Sequence, residues 1–224
     1  MMLTRLEDEH VPHDLPGWYE AMAGQAATLG GYTGLMYHPT HQQAQFDHLM
    51  ALVRQWQERH GWRTCLELGC AEGKMTAKLA AIFEQVTAID VSTTMLRACP
   101  ALDNVTYLAR SAEAWQPGTF YDVIIMSELL EHLRYPQQVL WRYLPWCDFL
   151  IATGPVTESL NANAFDLTRL GREMVAGDAS GHIWAMDYPG FLSLFEELCL
   201  VHGEQFHHTG IAIVSNSFRE AEWT

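Results

Sequence analysis

LELGCAEG, residues 66–73, joins a short apolar run, TCLEL (64–68), to a stretch with helical periodicity, GKMTAKLAAIF (73–83). This reads as a strand, a tight turn and a helix. Gly69 permits the turn directly after the strand. Ala71 and Gly73 keep the loop small enough for a ligand to approach its backbone. The helix start then offers unpaired N–H groups and a positive dipole end, which suit a carboxylate or a phosphate. Dinucleotide-binding loops read G-x-G-x-x-G. Here the small residues are Gly69, Ala71 and Gly73, so the third comes one position early, which disfavours a nicotinamide enzyme. Glu67, inside the strand, can accept hydrogen bonds from an ammonium group. A ligand with both a carboxylate and an ammonium is an amino acid, and S-adenosylmethionine is one. The plain alternative is a strand–helix turn with no ligand.

Outward from this loop the pattern repeats. VTAID (86–90), VTYLA (105–109), YDVIIM (121–126) and DFLIAT (148–153) read as strands. STTMLRAC (92–99), residues 136–144 and YPGFLSLFEELCLV (188–201) read as helices, with Ser92 an N-cap. EQFHHT (204–209) and GIAIVSNSF (210–218) predict a closing hairpin. Such alternation with short links means a parallel sheet with helices on both faces. Upstream, Phe46, Leu49, Met50, Val53 and Trp56 form one stripe of an amphipathic helix ended by Gly61. Residues 1–17 are expected to be a loosely held arm. The division expected is an arm and helical cap or lid over 1–60 and an α/β core over 61–224.

Asp90 ends the second strand, where a carboxylate can accept from both hydroxyls of a ribose. LELGCAEG, AID and FYDVIIMSELLEHL together resemble the motif set of class I S-adenosylmethionine-dependent methyltransferases, over about 64–153. The likeness is closest to bacterial small-molecule enzymes, including nodulation-type N-methyltransferases. It implies a Rossmann-like, seven-stranded, mostly parallel sheet with an antiparallel last strand, and S-adenosylmethionine lying across the strand ends. It places Glu67 at the methionine end, Asp90 at the ribose, and Gly69, Cys70, Ala71, Gly73, Val91 and Ser127 around the cofactor. Two departures stand out. The middle glycine of the usual E-x-G-x-G-x-G is Ala71, a mild change. The acid that commonly meets the adenine amine is absent from ARSAEAW (109–115), where Ser111 or Glu113 would have to serve. Ser111 and Ala112 are assigned to the adenine edge.

The stretch after the fourth strand holds Glu128, Glu131 and His132. On a helical turn the E-x-x-E-H spacing would bring them to one face. Two carboxylates and an imidazole can bind a divalent ion, with Mg²⁺, Mn²⁺ or Fe²⁺ favoured. The string resembles that of ubiquinone-pathway O-methyltransferases and small-RNA 2′-O-methyltransferases, where it holds a metal. His182 would then be the downstream ligand, and Glu128, His132 and His182 the catalytic candidates. The alternative is a metal-free packing and cofactor-edge motif. His38 or His41 could act as base from the lid. Trp18, Tyr19, Tyr32 and Tyr37 could line an acceptor pocket. His207 and His208 read as strand residues.

Composition narrows the function. Thirteen Lys and Arg against 27 Asp and Glu give a net charge of −14, which repels phosphate backbones and disfavours nucleic-acid substrates. No run is long and apolar enough to span a membrane. Five cysteines without a C-x-x-C pair read as reduced, mostly buried thiols in a cytoplasmic protein. The expected function is methyl transfer to an oxygen, or a nitrogen, of a small molecule. Rival readings are a metal-assisted RNA 2′-O-methyltransferase and a non-catalytic S-adenosylmethionine-binding protein. Composition leaves the oligomeric state open.

Overall fold

The structure, a computed structural model, describes residues 3–5, 17, 20, 21, 23, 24, 39–156 and 184–216. In chain order these form β1 (Leu3–Arg5), α1 (Pro39–His60), β2 (Thr64–Leu68), α2 (Lys74–Leu79), β3 (Gln85–Asp90), α3 (Thr93–Ala98), β4 (Val105–Ala109) and β5 (Tyr121–Met126). There follow α4 (Pro136–Tyr143), β6 (Cys147–Pro155), β7 (Trp184–Met186), α5 (Tyr188–Ser193), β8 (Cys199–Phe206) and β9 (Thr209–Ser215). Seven strands make one sheet in the order β4-β3-β2-β5-β6-β9-β8. The pairs from β4 through β6 are parallel, and β9 runs antiparallel to both β6 and β8. This is the Rossmann-like sheet expected, with its antiparallel last strand.

Strand periodicity divides the core into two layers. Along β5, Val123 and Ile125 face one side and Ile124 and Met126 the other, all fully buried. The first layer packs on α1 through Leu49, Leu52 and Val53, and on α2 through Met75 and Leu79. The second packs on α4 through Val139, Leu140 and Tyr143, and on α5 through Phe191. Strands covered on both faces explain the near-continuous apolar runs. Gly61 ends α1 with φ +67°, its N–H donating to the Gln57 carbonyl at 2.8 Å.

Four expectations are corrected. Leu3–Arg5 is not a loose arm: it pairs antiparallel with β7, Leu3 opposite Met186 and Arg5 opposite Trp184. The helix expected over 188–201 stops at Ser193, and Cys199–Val201 belong to edge strand β8. Edge pairing with β9 outweighs the local helical pattern there, as tertiary context commonly does. His207 and His208 form the hairpin turn rather than a strand, His207 with φ +53°. The E-x-x-E-H segment is not one helical face, since Glu128 has φ +50° and only Leu130–His132 forms a 3-10 turn. Among the described residues no helix is long and apolar enough to cross a membrane.

Candidate functional site

The chain proceeds from β2 to β3 and β4 on one side, then returns to β5 and β6 on the other. Ligand clefts open beyond the strand C-termini at such a reversal. A cleft opens there, lined by Gly69 and Ala71 after β2, Asp90 and Val91 after β3, and Ser111 and Ala112 after β4. Glu128, Leu129, His132 and Leu133, beyond β5, line its other end.

The loop after β2 is wound through left-handed backbone at Gly69 (φ +77°), Ala71 (φ +46°) and Gly73 (φ +74°). A Cβ on Gly69 would stand 3.0 Å from Leu129 Cδ1, so the turn needs glycine for space as well as for φ. Ala71 is therefore a larger departure than the sequence suggested, because it holds a conformation alanine disfavours. The Asp90 carboxylate pins the loop. Its Oδ2 accepts from the Ala71 N–H and its Oδ1 from the Ser92 N–H, both at 2.8 Å. Burial raises the Asp90 carboxyl, and these backbone donors oppose the rise. Ser92 caps α3, accepting from the Met95 N–H at 3.2 Å.

Glu67 does not line the cleft. It is buried below the loop and accepts from Thr76 Oγ1 at 2.6 Å. Burial pushes its carboxyl up to about 7, against the pull of Thr76. Cys70, Gly73 and Ser127 also stand outside the lining. Glu113 lines the cleft, but its Oε1 accepts from the Arg134 N–H at 2.8 Å. That leaves Ser111 and Ala112 as the less committed residues at that edge.

At the far end β6 supplies Thr153. Its Oγ1 lies 3.1 Å from Ser127 Oγ, receives the Glu128 N–H at 3.0 Å and donates to Glu128 Oε1 at 2.9 Å. A non-glycine residue in left-handed backbone stores about 1–3 kcal/mol of strain, which the surroundings must hold. Here the strained residue, Glu128, is one of those that line the cleft. The Glu128 side chain is exposed along the cleft, and the protein packed around its carboxyl raises it, against the pull of Thr153. Glu131 is fully buried, raised further by burial and by the charge of Glu128. His132 Nε2 lies 3.6 Å from Glu131 Oε1.

The residues present do not fit the expected metal site. Glu131 is turned into the core, its Oε2 standing 3.6 Å from where a Cβ on Gly154 would sit. Among the described residues no group of three or more His, Cys, Asp or Glu is arranged to hold an ion. His182 lies outside the described residues, as do Trp18, Tyr19, Tyr32, Tyr37, His38 and the His41 side chain.

Several neighbours of the site escape a sequence reading. Met95, Arg110, Leu129 and Leu133 line the cleft. Glu20 reaches the start of α3 beside it from far upstream, accepting from Ser92 Oγ at 2.7 Å, Thr93 Oγ1 at 2.9 Å and Thr94 Oγ1 at 2.6 Å. The Thr94 and Ser92 hydroxyls hold its carboxyl down at about 2. The only signal for this is the run of hydroxyls in STT (92–94), which names donors but no partner.

Residues 65–144 match a family model described as a methyltransferase domain. A ubiquinone biosynthesis O-methyltransferase of Burkholderia ambifaria (strain MC40-6) is 29% identical over 159 residues, covering 65% of each chain. One of Burkholderia lata is 31% identical over 126 residues, 51% of this chain and 52% of that protein. The chain thus spans less than two thirds of the length of these relatives. Among solved structures, the N-methyltransferase NodS from Bradyrhizobium japonicum WM9 with S-adenosyl-L-homocysteine superposes with TM-score 0.64 at 18% identity, covering 89% of this chain and 98% of that one. Magnesium protoporphyrin IX methyltransferase from Synechocystis PCC 6803 with bound SAH gives TM-score 0.62 at 14% identity, covering 90% and 97%.

Proposed function

We propose that the chain is a class I S-adenosylmethionine-dependent methyltransferase and that it methylates a hydroxyl oxygen of a small molecule. S-adenosylmethionine supplies, when bound, a methyl carbon activated by its sulfonium. The fit to that cofactor rests on the bare, left-handed loop at Gly69–Gly73 and the Asp90 carboxylate beside it. Asp90 would hold the ribose, Ser111 and Ala112 the adenine edge, and the Gly69–Ala71 backbone the amino-acid end. Glu67, below, would balance the ammonium charge.

The observation that carries the oxygen reading is Glu128. A hydroxyl acceptor must lose its proton, whereas a neutral amine already has a lone pair to offer. A carboxylate raised above its usual range is the stronger base near neutral pH. Glu128 stands at the cleft end away from Asp90 and Ser111, oriented by Thr153. It would take the acceptor's proton, and His132 beside it would orient the acceptor oxygen. The nearby buried Glu131, raised by burial and by the charge of Glu128, holds its own proton and leaves the negative charge on Glu128. Leu129 and Leu133 line that end with apolar surface. The relatives named O-methyltransferases support the same reading. A net charge of −14 supports a small acceptor over RNA.

The test pairs calorimetry with turnover. S-adenosylhomocysteine should bind and NAD should not. With labelled S-adenosylmethionine and matched panels of phenols, aliphatic alcohols and amines, methylation should fall on the hydroxyl panels. Glu128→Gln should lower kcat for hydroxyl acceptors by about 10²–10⁴-fold, the range of a lost general base. Unchanged turnover in that variant, or methylation of amines alone, would give the nitrogen reading instead.

A further inference from the structure

Two thiols meet at the loop assigned to the cofactor. Cys70 follows Gly69 directly, and Cys99 is the C-terminal cap of α3. Both sulfurs turn to one atom, the Ala71 carbonyl oxygen, Cys70 Sγ at 3.9 Å and Cys99 Sγ at 3.3 Å. The two thiols also interact with each other. Gly73 leaves them room, since a Cβ there would stand 3.0 Å from Cys99 Sγ. Cys70 is buried and Cys99 is partly open to solvent, so a reagent can reach one of the two. All five cysteines of the chain are free thiols.

We propose that Cys70 and Cys99 are a redox pair whose disulfide weakens cofactor binding. This rests on the methyltransferase reading of the cleft. The oxidant is a small-molecule disulfide such as oxidised glutathione. The Cys99 thiol gives up its proton, and its sulfur attacks one glutathione sulfur and expels the other as a thiolate that takes the proton. Cys70 then gives up its own proton and attacks the Cys99 sulfur of the mixed disulfide. The second glutathione leaves as a thiol. Two protein thiols are oxidised and one disulfide is reduced to two thiols. Burial holds Cys99 up at about 11, which keeps its thiolate scarce at neutral pH and makes the exchange slow.

The effect on the site follows from what the sulfurs hold. The bonded sulfurs must close to about 2.05 Å, which draws Cys70 toward the end of α3. The loop has little slack. The Gly69 and Cys70 N–H groups both donate to the Ile89 carbonyl, at 2.8 and 3.0 Å, and the Gly73 N–H donates to the Cys70 carbonyl at 2.8 Å. Moving Cys70 therefore moves Ala71 and its bond to Asp90, two groups that line the cleft.

The experiment uses the full chain carrying Cys199→Ser, which removes an exposed thiol far from the cleft. It is incubated with oxidised glutathione at pH 8, and mass spectrometry and S-adenosylhomocysteine calorimetry follow. The expected product has lost two hydrogens and yields a cross-linked peptide pair containing Cys70 and Cys99. Its affinity should fall by about tenfold or more, the scale of one or two lost hydrogen bonds, and return on reduction with dithiothreitol. Adding Cys99→Ser should abolish both the cross-link and the oxidant's effect. A glutathione adduct that never resolves to the cross-link would overturn the proposal, as would a cross-link with unchanged affinity. S-adenosylhomocysteine binding by the reduced protein tests the cofactor reading separately, and the cross-link is read without any ligand.

Discussion

Glu67 is neutral or charged according to pH in a range where the free group is always charged. Its carboxyl stands at about 7 in the fold, against 4.5 when unperturbed, chiefly because it is buried. A raised pKa means that the folded state binds the proton more tightly than the unfolded one. The stability this gives is full below about pH 4.5 and is lost as pH rises through about 7. Glu67→Gln keeps an acceptor for Thr76 and carries no charge. Without ligand it should melt above the parent at pH 8 and no higher at pH 4.5. Parallel melting curves for the two proteins from pH 4.5 to 8 would contradict this. Asp90→Ala should weaken S-adenosylhomocysteine by about 1.5–3 kcal/mol, since it removes hydrogen bonds to a charged acceptor. Unchanged affinity by calorimetry would end the ribose assignment. The place of Asp90 beside the cleft was legible in the sequence because it ends the strand next to the first loop. That Glu67 points to Thr76 was not legible, because the contact joins a strand to the next helix. The strain at Ala71 and Glu128 was hidden for a related reason. Residue type constrains φ but does not state it.

Among the elements, β9 and α5 show what a single missing side chain does. A Cβ on Gly210 would stand 2.6 Å from Phe191 Cδ1, and Phe191 is fully buried. The ring or the strand would have to shift within the core to admit it. Gly210→Ala should therefore destabilise the fold by about 1–3 kcal/mol, the usual scale of overpacking. Urea unfolding with an unchanged midpoint would show that Phe191 can move after all. The central strands were readable to within a residue or two, since burial on both faces produces uninterrupted apolar runs. The segment 188–201 was not. FLSLFEEL has helical spacing, and nothing local announces that Cys199 starts an edge strand; β9 supplies that reason from farther along the chain. The E-x-x-E-H reading failed similarly, because helical spacing requires helical backbone and Glu128 does not have it.

At the scale of the molecule, β1 and β7 join distant parts of the chain into a ribbon of three residue pairs. The ribbon lies near one end of the cleft, where Trp184 Nε1 donates to the carbonyl of the lining residue Leu133 at 2.8 Å. Deleting residues 1–5 should cost about 1 kcal/mol, a sum of small cross-strand terms. For a chain of this size that lowers Tm by about 2–4 °C. Calorimetric scans with superimposable transitions would show that the ribbon adds nothing. The pairing also sets an order of events during synthesis. Leu3–Arg5 leaves the ribosome roughly 180 residues before its partner, which at about 5–20 residues per second is a wait of roughly 10–35 s. During that wait the nascent strand has unpaired backbone, and the acidic run Glu7-Asp8-Glu9 beside it discourages premature association with apolar surface. The ribbon is thus made whole only once β7 has followed β2 to β6 out of the ribosome, just before the β8–β9 hairpin, and the Leu133 end of the cleft takes its finished form late in synthesis.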